Sequence, residues 1–175
     1  YKAHDATPKI RVTPYQDPSL MQGLAKLGFT VYDTETVLAR DVDEETDLDV
    51  ANALNFREVD PSKPEDVTAF MDAHIGGFYE EGSPSPSMRE IMGRMVSMER
   101  VTLWLVSYND EVLASGGLET YDEAGVLICG SVLPKHRKQG IHKALMDFRV
   151  NEAAKRGLTY VTIGSAPAGP TERNA

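Results

Sequence analysis

The chain of 175 residues is 41% hydrophobic and 26% charged, ordinary for a water-soluble globular protein and long enough for one well-buried domain with a small appendage. Its formal net charge of −9 disfavours nonspecific binding to nucleic acid or anionic lipid; it would suit a cationic small molecule such as an amine, and it also serves solubility alone. No apolar run approaches the roughly 20 residues of a membrane helix and no secretory leader pattern opens the chain, so neither a membrane nor a nucleic acid is expected as a partner.

Residues 9–41 read as strand, helix, strand. Lys9-Ile10-Arg11-Val12 is a short β-type run. Asp17-Pro18-Ser19 opens a helix through Leu20, Leu24 and Leu27, with proline in the first turn where its missing N–H costs nothing, and Gly28 stops it. Phe29 to Leu38 holds β-branched and aromatic residues suited to a strand. Leu20, Leu24, Leu27 and Phe29 form one apolar face, so all four are expected to be buried. Residues 41–50 carry six acids and no base, the composition of a solvated linker. The expected division is a strand–helix–strand piece over 1–41, an acidic linker over 42–53 and a main domain over 54–175.

The main domain opens with a strand containing Phe56 and Val59. A helix follows Pro64 through Val67, Phe70, Met71 and Ile75, and Gly76-Gly77 is expected to end or break it. Gly82–Ser87 reads as a loop, with Ser87 and Glu90 a capping box for a helix through Met88, Ile91, Met95 and Met98. Three strands come next, Val101–Ser107, Val112–Thr120 and Gly125–Leu133, turning at Asn109-Asp110 and Asp122-Glu123. The third is nearly continuous in apolar residues, as a central buried strand should be. It holds Cys129, the single cysteine, which reads as a small buried hydrophobe and suits a reducing cytoplasm. His4, His74, His136 and His142 are scattered, and no metal is expected. Gly140–Arg156 is an amphipathic helix with Ile141, Ala144, Leu145 and Phe148 on one face; Gly157 caps it, and Thr159–Ile163 is a further strand.

The informative stretch is Ser131-Val-Leu-Pro-Lys-His-Arg-Lys-Gln-Gly-Ile-His-Lys-Ala-Leu145. A buried strand, a basic turn, a glycine and a helix follow one another. The first N–H groups of a helix have no partner within it and its dipole is positive there, so a diphosphate can accept those bonds. Gly140 lets the backbone come close, and Lys135, Arg137, Lys138 and Lys143 add attraction. A plain strand–loop–helix connection would carry the same residue types; the placement after three meander strands favours the anion cradle.

Arg137-Lys138-Gln139-Gly140-Ile141-His142, preceded by Val132-Leu133-Pro134, resembles the R/Q-x-x-G-x-G/A loop of the GNAT superfamily of N-acetyltransferases. His142 departs from the usual Gly or Ala. Pro167-Ala-Gly-Pro-Thr-Glu-Arg-Asn174 resembles the P-x-x-x-S/T-x-R-N segment of a bacterial subgroup in which a larger residue also stands at the position of His142. The resemblance covers about residues 54–175. It implies an α/β (α+β) fold with a mixed sheet, an antiparallel meander splayed from a parallel strand that follows the CoA-binding helix. Members of the family continue through a helix, a Gly-Phe pair and a last strand. Lys9–Leu38, with Leu27-Gly28-Phe29, resembles such a tail; it reads as the end of a preceding GNAT-like half, as a tail-like strand–helix–strand that fills the position of that tail, or as an unrelated extension.

The resemblance further implies acetyl-CoA as donor and direct transfer to an amine on a small molecule or a peptide. The diphosphate would lie on the backbone of Lys138, Gln139, Gly140, Ile141, His142 and Lys143 beside Arg137. The pantetheine arm would run between 126–133 and 159–163 near Val132 and Leu133. Asn174 would hydrogen-bond that arm or cap the helix it begins, and His142 would touch a phosphate or line the helix surface. Glu119 is the candidate general base, or else a solvent-facing edge carboxylate, and the thiolate would take its proton from a Tyr of the tail helix. A homodimer is compatible with this family, and the alternative to an enzyme is a CoA-binding regulatory module without chemistry.

Overall fold

The structure, a computed structural model, describes residues 7–42, 53–78 and 86–174. The acidic segment from 43 onward, the loop before Pro86 and the side chain of Ser87 in the expected capping box lie outside the described residues. The chain forms two compact units, Tyr1–Thr34 and Glu35–Ala175.

In the first unit one helix forms, α1 (Pro18–Lys26), and the Asp17 carboxylate caps it by accepting the Ser19 N–H at 2.8 Å. Gly28 takes φ 83°, and the N–H groups of Gly28 and Phe29 return to the carbonyls of Ala25 and Leu24, the two bonds of a Schellman stop. The strand expected at Lys9–Val12 is irregular chain, and the one expected from Phe29 begins only at Thr36. Leu24 and Phe29 are partly buried, whereas Leu20 and Leu27 are exposed, against expectation. A unit of this length has too little chain to enclose a helix face.

The second unit is built on a six-stranded sheet in the order β1-β6-β5-β4-β3-β2. Its strands are β1 (Thr36–Asp41), β2 (Asn55–Glu58), β3 (Val101–Tyr108), β4 (Glu111–Tyr121), β5 (Ala124–Val132) and β6 (Tyr160–Ser165). Asn109 and Asp110 both adopt positive φ, the two-residue hairpin geometry whose twist matches that of the strands. Neighbours are antiparallel except β5 and β6, which run parallel. That relation follows from the crossover through helix α4 (Ile141–Lys155) and is the mixed sheet expected above.

Helices cover both faces. From α2 (Pro64–Phe78), Phe70 and Ala73 pack on Leu103 and Leu105, with Val96 of α3 (Pro86–Val96) beside them. From α4, Met146, Val150 and Ala153 pack on Trp104, Leu118 and Leu127 of the other face. Gly76 and Gly77 do not break α2, which runs on to Phe78. A Cβ on Gly77 would lie 2.6 Å from Ser131 Oγ, and one on Gly76 2.9 Å from Leu133 Cδ2. These glycines therefore let the helix lie close against β5, a packing role that outweighs their low helix propensity.

The boundary between units falls at Thr34, ahead of the acidic segment. Strand β1 pairs along its whole length with β6, from Thr36 opposite Ser165 to Asp41 opposite Tyr160. Those ladder bonds tie residues 36–41 to the sheet although their composition differs little from that of the chain before them.

Candidate functional site

β5 and β6 are paired at only three positions, Ala124, Gly125 and Val126 opposite Tyr160, Val161 and Thr162. Beyond Val126 the two strands part, leaving residues 127–132 of β5 without a β6 partner. On its other edge β5 stays paired to β4 but carries a bulge. Gly117 faces Ile128 and Ser115 faces Ser131, so Cys129 and Gly130 together oppose Gly116. Cys129 takes φ 55° there, the left-handed region costly for a side chain.

Side chains from both faces hold this bulge. From α2, His74 Nδ1 lies 3.3 Å from the Cys129 carbonyl. That contact puts the proton on Nδ1 in the neutral ring. Burial holds the imidazole below its ordinary value, against a smaller upward pull from the same hydrogen bond. From α4, Arg149 Nη1 donates to the carbonyls of Gly117 at 3.2 Å and Ile128 at 3.0 Å, while Nε donates to Leu145 O at 3.0 Å. Arg149 is completely buried, and its Nη2 has no hydrogen-bond partner among the described residues. Burial brings the guanidinium down to about 10, so it is a cation at neutral pH. Neither residue was singled out from sequence. Arg149 sits on the sheet-facing side of α4, where its charge reads as an exception to the pattern; that exception was the available signal.

The end of β5 leads into a 3-10 turn over Pro134–His136 and then into α4. Lys138 and Gly140 adopt positive φ, 62° and 77°, and Gly140 is the N-cap. The first intrahelical bond runs from Ala144 N–H to Gly140 O, so the N–H groups of the preceding turn have no carbonyl within the helix. The loop from Lys138 to Lys143 thus has the backbone form of an anion cradle. Ile141 is buried and anchors it with Leu145 and Val132.

The basic residues divide by role. Arg137 turns back onto the protein, donating to Val132 O at 3.3 Å and to Gly77 O at 2.7 Å. Lys135 pairs with Glu111, Lys143 pairs with Asp147 at 2.6 Å, and Lys138 makes no ion pair among the described residues. His142 is half-buried; burial, and then the Arg149 charge, hold it below its ordinary value. Leu133 N–H is taken by Leu113 O of β4, and Gln139 lies exposed at the tip of the loop.

Glu119 lies on the face covered by α2 and α3, since its neighbour Leu118 packs with α4 residues on the other. One carboxylate oxygen accepts from Arg100 Nε at 2.6 Å and from Tyr121 Oη at 2.7 Å. Burial pushes this carboxyl up, but the Tyr121 and Arg100 bonds outweigh it and hold it below the usual carboxylate range. Burial raises the Cys129 thiol to about 11, so it is not a nucleophile at neutral pH. After β6, helix α5 (Pro170–Asn174) is braced by Arg173 Nη1, which donates to Ala168 O at 2.7 Å. The Asn174 side chain lies outside the described residues.

Residues 68–170 match the Acetyltransferase (GNAT) family, while no curated protein sequence matches the chain. A predicted acetyltransferase from Clostridium acetobutylicum, solved with acetyl-CoA, is similar over 67% of this chain and 84% of its own, at 17% identity and a TM-score of 0.55. A GCN5-related N-acetyltransferase from Sphaerobacter thermophilus is similar over 86% of this chain and 48% of its own, at 18% identity and a TM-score of 0.61. One from Kribbella flavida is similar over 85% and 54%, at 16% identity and a TM-score of 0.57. The chain thus spans about half the length of the last two. At such identities these likenesses speak to the fold.

Proposed function

The chain belongs to the GNAT acetyltransferase family, and on that premise we propose that it moves an acetyl group from acetyl-CoA directly to an amine of a small molecule or peptide. The observation that carries the proposal is the parting of β5 from β6 beyond Val126, just before a helix N-terminus capped by Gly140. An extended acyl-CoA arm can lie in that gap and use the unpaired edge of β5, while its diphosphate accepts N–H bonds from residues 138–143. Arg137 supports this arrangement from behind, by tying the loop to α2.

In this reading the amine approaches on the α2 and α3 face. Its nitrogen attacks the thioester carbonyl carbon, whose oxygen takes an N–H bond from the bulged stretch of β5. Glu119 is ionised at neutral pH and receives the proton, directly or through water; its pairing with Arg100 makes it a weak base. That same pairing favours a second reading, a CoA-binding module without chemistry. The net charge of −9 supports a cationic acceptor over an anionic one. Strand β1 supports reading residues 36–41 as occupying the sheet position that family members give to a strand of their tail.

The test is thermal denaturation with acetyl-CoA, followed by release of free CoA thiol across a panel of amines. The transferase reading expects a raised Tm and amine-dependent thiol release. A raised Tm with no release from any amine would leave the binding module standing instead.

A further inference from the structure

We infer that Arg149 is the cationic partner of the CoA thiolate, the leaving group of the reaction. The inference rests on the reading of the β5–β6 gap as the path of the pantetheine arm. Three observations carry it. Arg149 is fully buried, and among the described residues no carboxylate pairs with it. A buried cation without a counter-ion is costly, and the carbonyls of Leu145, Gly117 and Ile128 supply dipoles but no negative charge. The Nη2 nitrogen also retains unused donors. Finally, the guanidinium bridges β4 and β5 beneath the bulge, level with the stretch of β5 that β6 has already left. Ile128 and Gly130 are two and four residues beyond the last paired position, Val126, and a Cβ on Gly130 would lie 3.2 Å from Nη2. With glycine at 130, no side chain of that residue stands against Nη2, and the β5 backbone separates the cation from the open edge.

The chemistry needs such a charge. As the amine nitrogen bonds to the acetyl carbon, the C–S bond breaks and its electron pair leaves on sulfur. The amine proton passes to Glu119 or water, and the products are the amide and CoA thiolate. A cation in a water-poor site lowers the free energy of that thiolate more than it does that of the neutral thioester. Arg149 therefore favours the products of the transfer step, and the thiolate takes its proton from water on release.

The experiment uses CoA and desulfo-CoA as probes, with the intact chain and no acceptor. Their dissociation constants are measured by calorimetry from pH 6.5 to 9. A cysteine-like thiol titrates near 8.5; a bound thiol brought down by about one unit makes CoA bind roughly eightfold tighter, relative to desulfo-CoA, at the upper end of that range. Desulfo-CoA carries the same phosphates and meets the same titrating neighbours, which are His142 on α4, Cys129 on β5 and, across the bulge, His74 on α2. The ratio therefore isolates the sulfur. Arg149→Met and Arg149→Gln should both flatten it; the glutamine variant keeps a hydrogen-bond donor for the bulge carbonyls if the methionine variant does not fold. A flat ratio in the unmodified chain overturns the proposal, as does a ratio that keeps its rise in a folded variant. Failure of both probes to bind would instead overturn the acetyl-CoA reading on which it stands.

Discussion

His74 and Arg149 hold one strand bulge from opposite faces of the sheet: His74 Nδ1 reaches the Cys129 carbonyl at 3.3 Å and Arg149 Nη1 the Ile128 carbonyl at 3.0 Å. Adjacent carbonyls are thereby turned to opposite faces. The left-handed Cys129 between them is held in place by its surroundings, as strained backbone at functional sites generally is. The free edge of β5 owes its shape to these two side chains.

The His74 pairing has a consequence for pH. The folded imidazole titrates below its ordinary value, so below about pH 6.5 the unfolded chain takes up a proton that the folded chain does not. Stability present above that pH is lost as pH falls toward the folded value. Asparagine can place a donor near the position of Nδ1 but does not titrate. His74→Asn should therefore flatten the decline in Tm between pH 7 and 5 while keeping the Cys129 bond. An unchanged slope would assign the decline to other groups, such as His142.

At the cradle, Gly140 takes φ 77°, where a β-branched residue is strained by about 1–3 kcal/mol. Gly140→Val should leave a folded protein of lower Tm whose Tm no longer rises with acetyl-CoA. Both effects are visible in one set of melting curves. A mutant that still responds to acetyl-CoA as the parent does would place the diphosphate away from this loop.

Gly77 tests the packing of α2 on β5. A Cβ there would stand 2.6 Å from Ser131 Oγ, and Ser131 is itself fixed by Ser115 Oγ at 3.1 Å and the Ala73 carbonyl at 3.2 Å. Gly77→Val should cost about 1–3 kcal/mol by overpacking, read from urea denaturation. Gly23 in α1, where nothing lies within 4 Å of an added Cβ, is the control; Gly23→Ala should be neutral or stabilising.

For Glu119, substitution by glutamine removes the proton acceptor but keeps a side chain able to accept from Tyr121 and Arg100. If Glu119 is the base, Glu119→Gln lowers kcat/KM for a responsive amine by about a hundredfold with the acetyl-CoA-dependent rise in Tm unchanged. Equal rates in the two proteins would return Glu119 to the role of an edge carboxylate holding Arg100.

The elements from Asn55 to Ser165 were legible because their signals are local. Apolar periodicity marked β3, β4, β5 and α4, the Asn109-Asp110 pair marked a hairpin, and Gly140 after a basic turn marked the start of α4. The crossover rule then made β5 and β6 parallel. Misreadings came where a distant partner decides. Gly76-Gly77 lies in the last described turn of α2 without interrupting it, and sequence does not display Ser131 and Leu133 lying against the pair. Leu20 and Leu27 looked buried because a helical stripe announces an apolar face but not whether anything covers it. Arg137 reads from sequence by its charge alone, and its bonds to the carbonyls of Val132 and Gly77 depend on how α2 meets the loop. The bulge at Cys129 left no local trace beyond the charge of Arg149 on an apolar helix face, since His74, Gly117 and Arg149 are far apart along the chain. Backbone conformation and apolar period are properties of neighbouring residues, and so the order of elements and the Gly140 start of α4 were set by the amino-acid sequence read locally. The parting of β5 from β6, the burial of a guanidinium between β4 and β5 and the face on which Glu119 lies depend on which strands and helices meet, and only tertiary packing decided them.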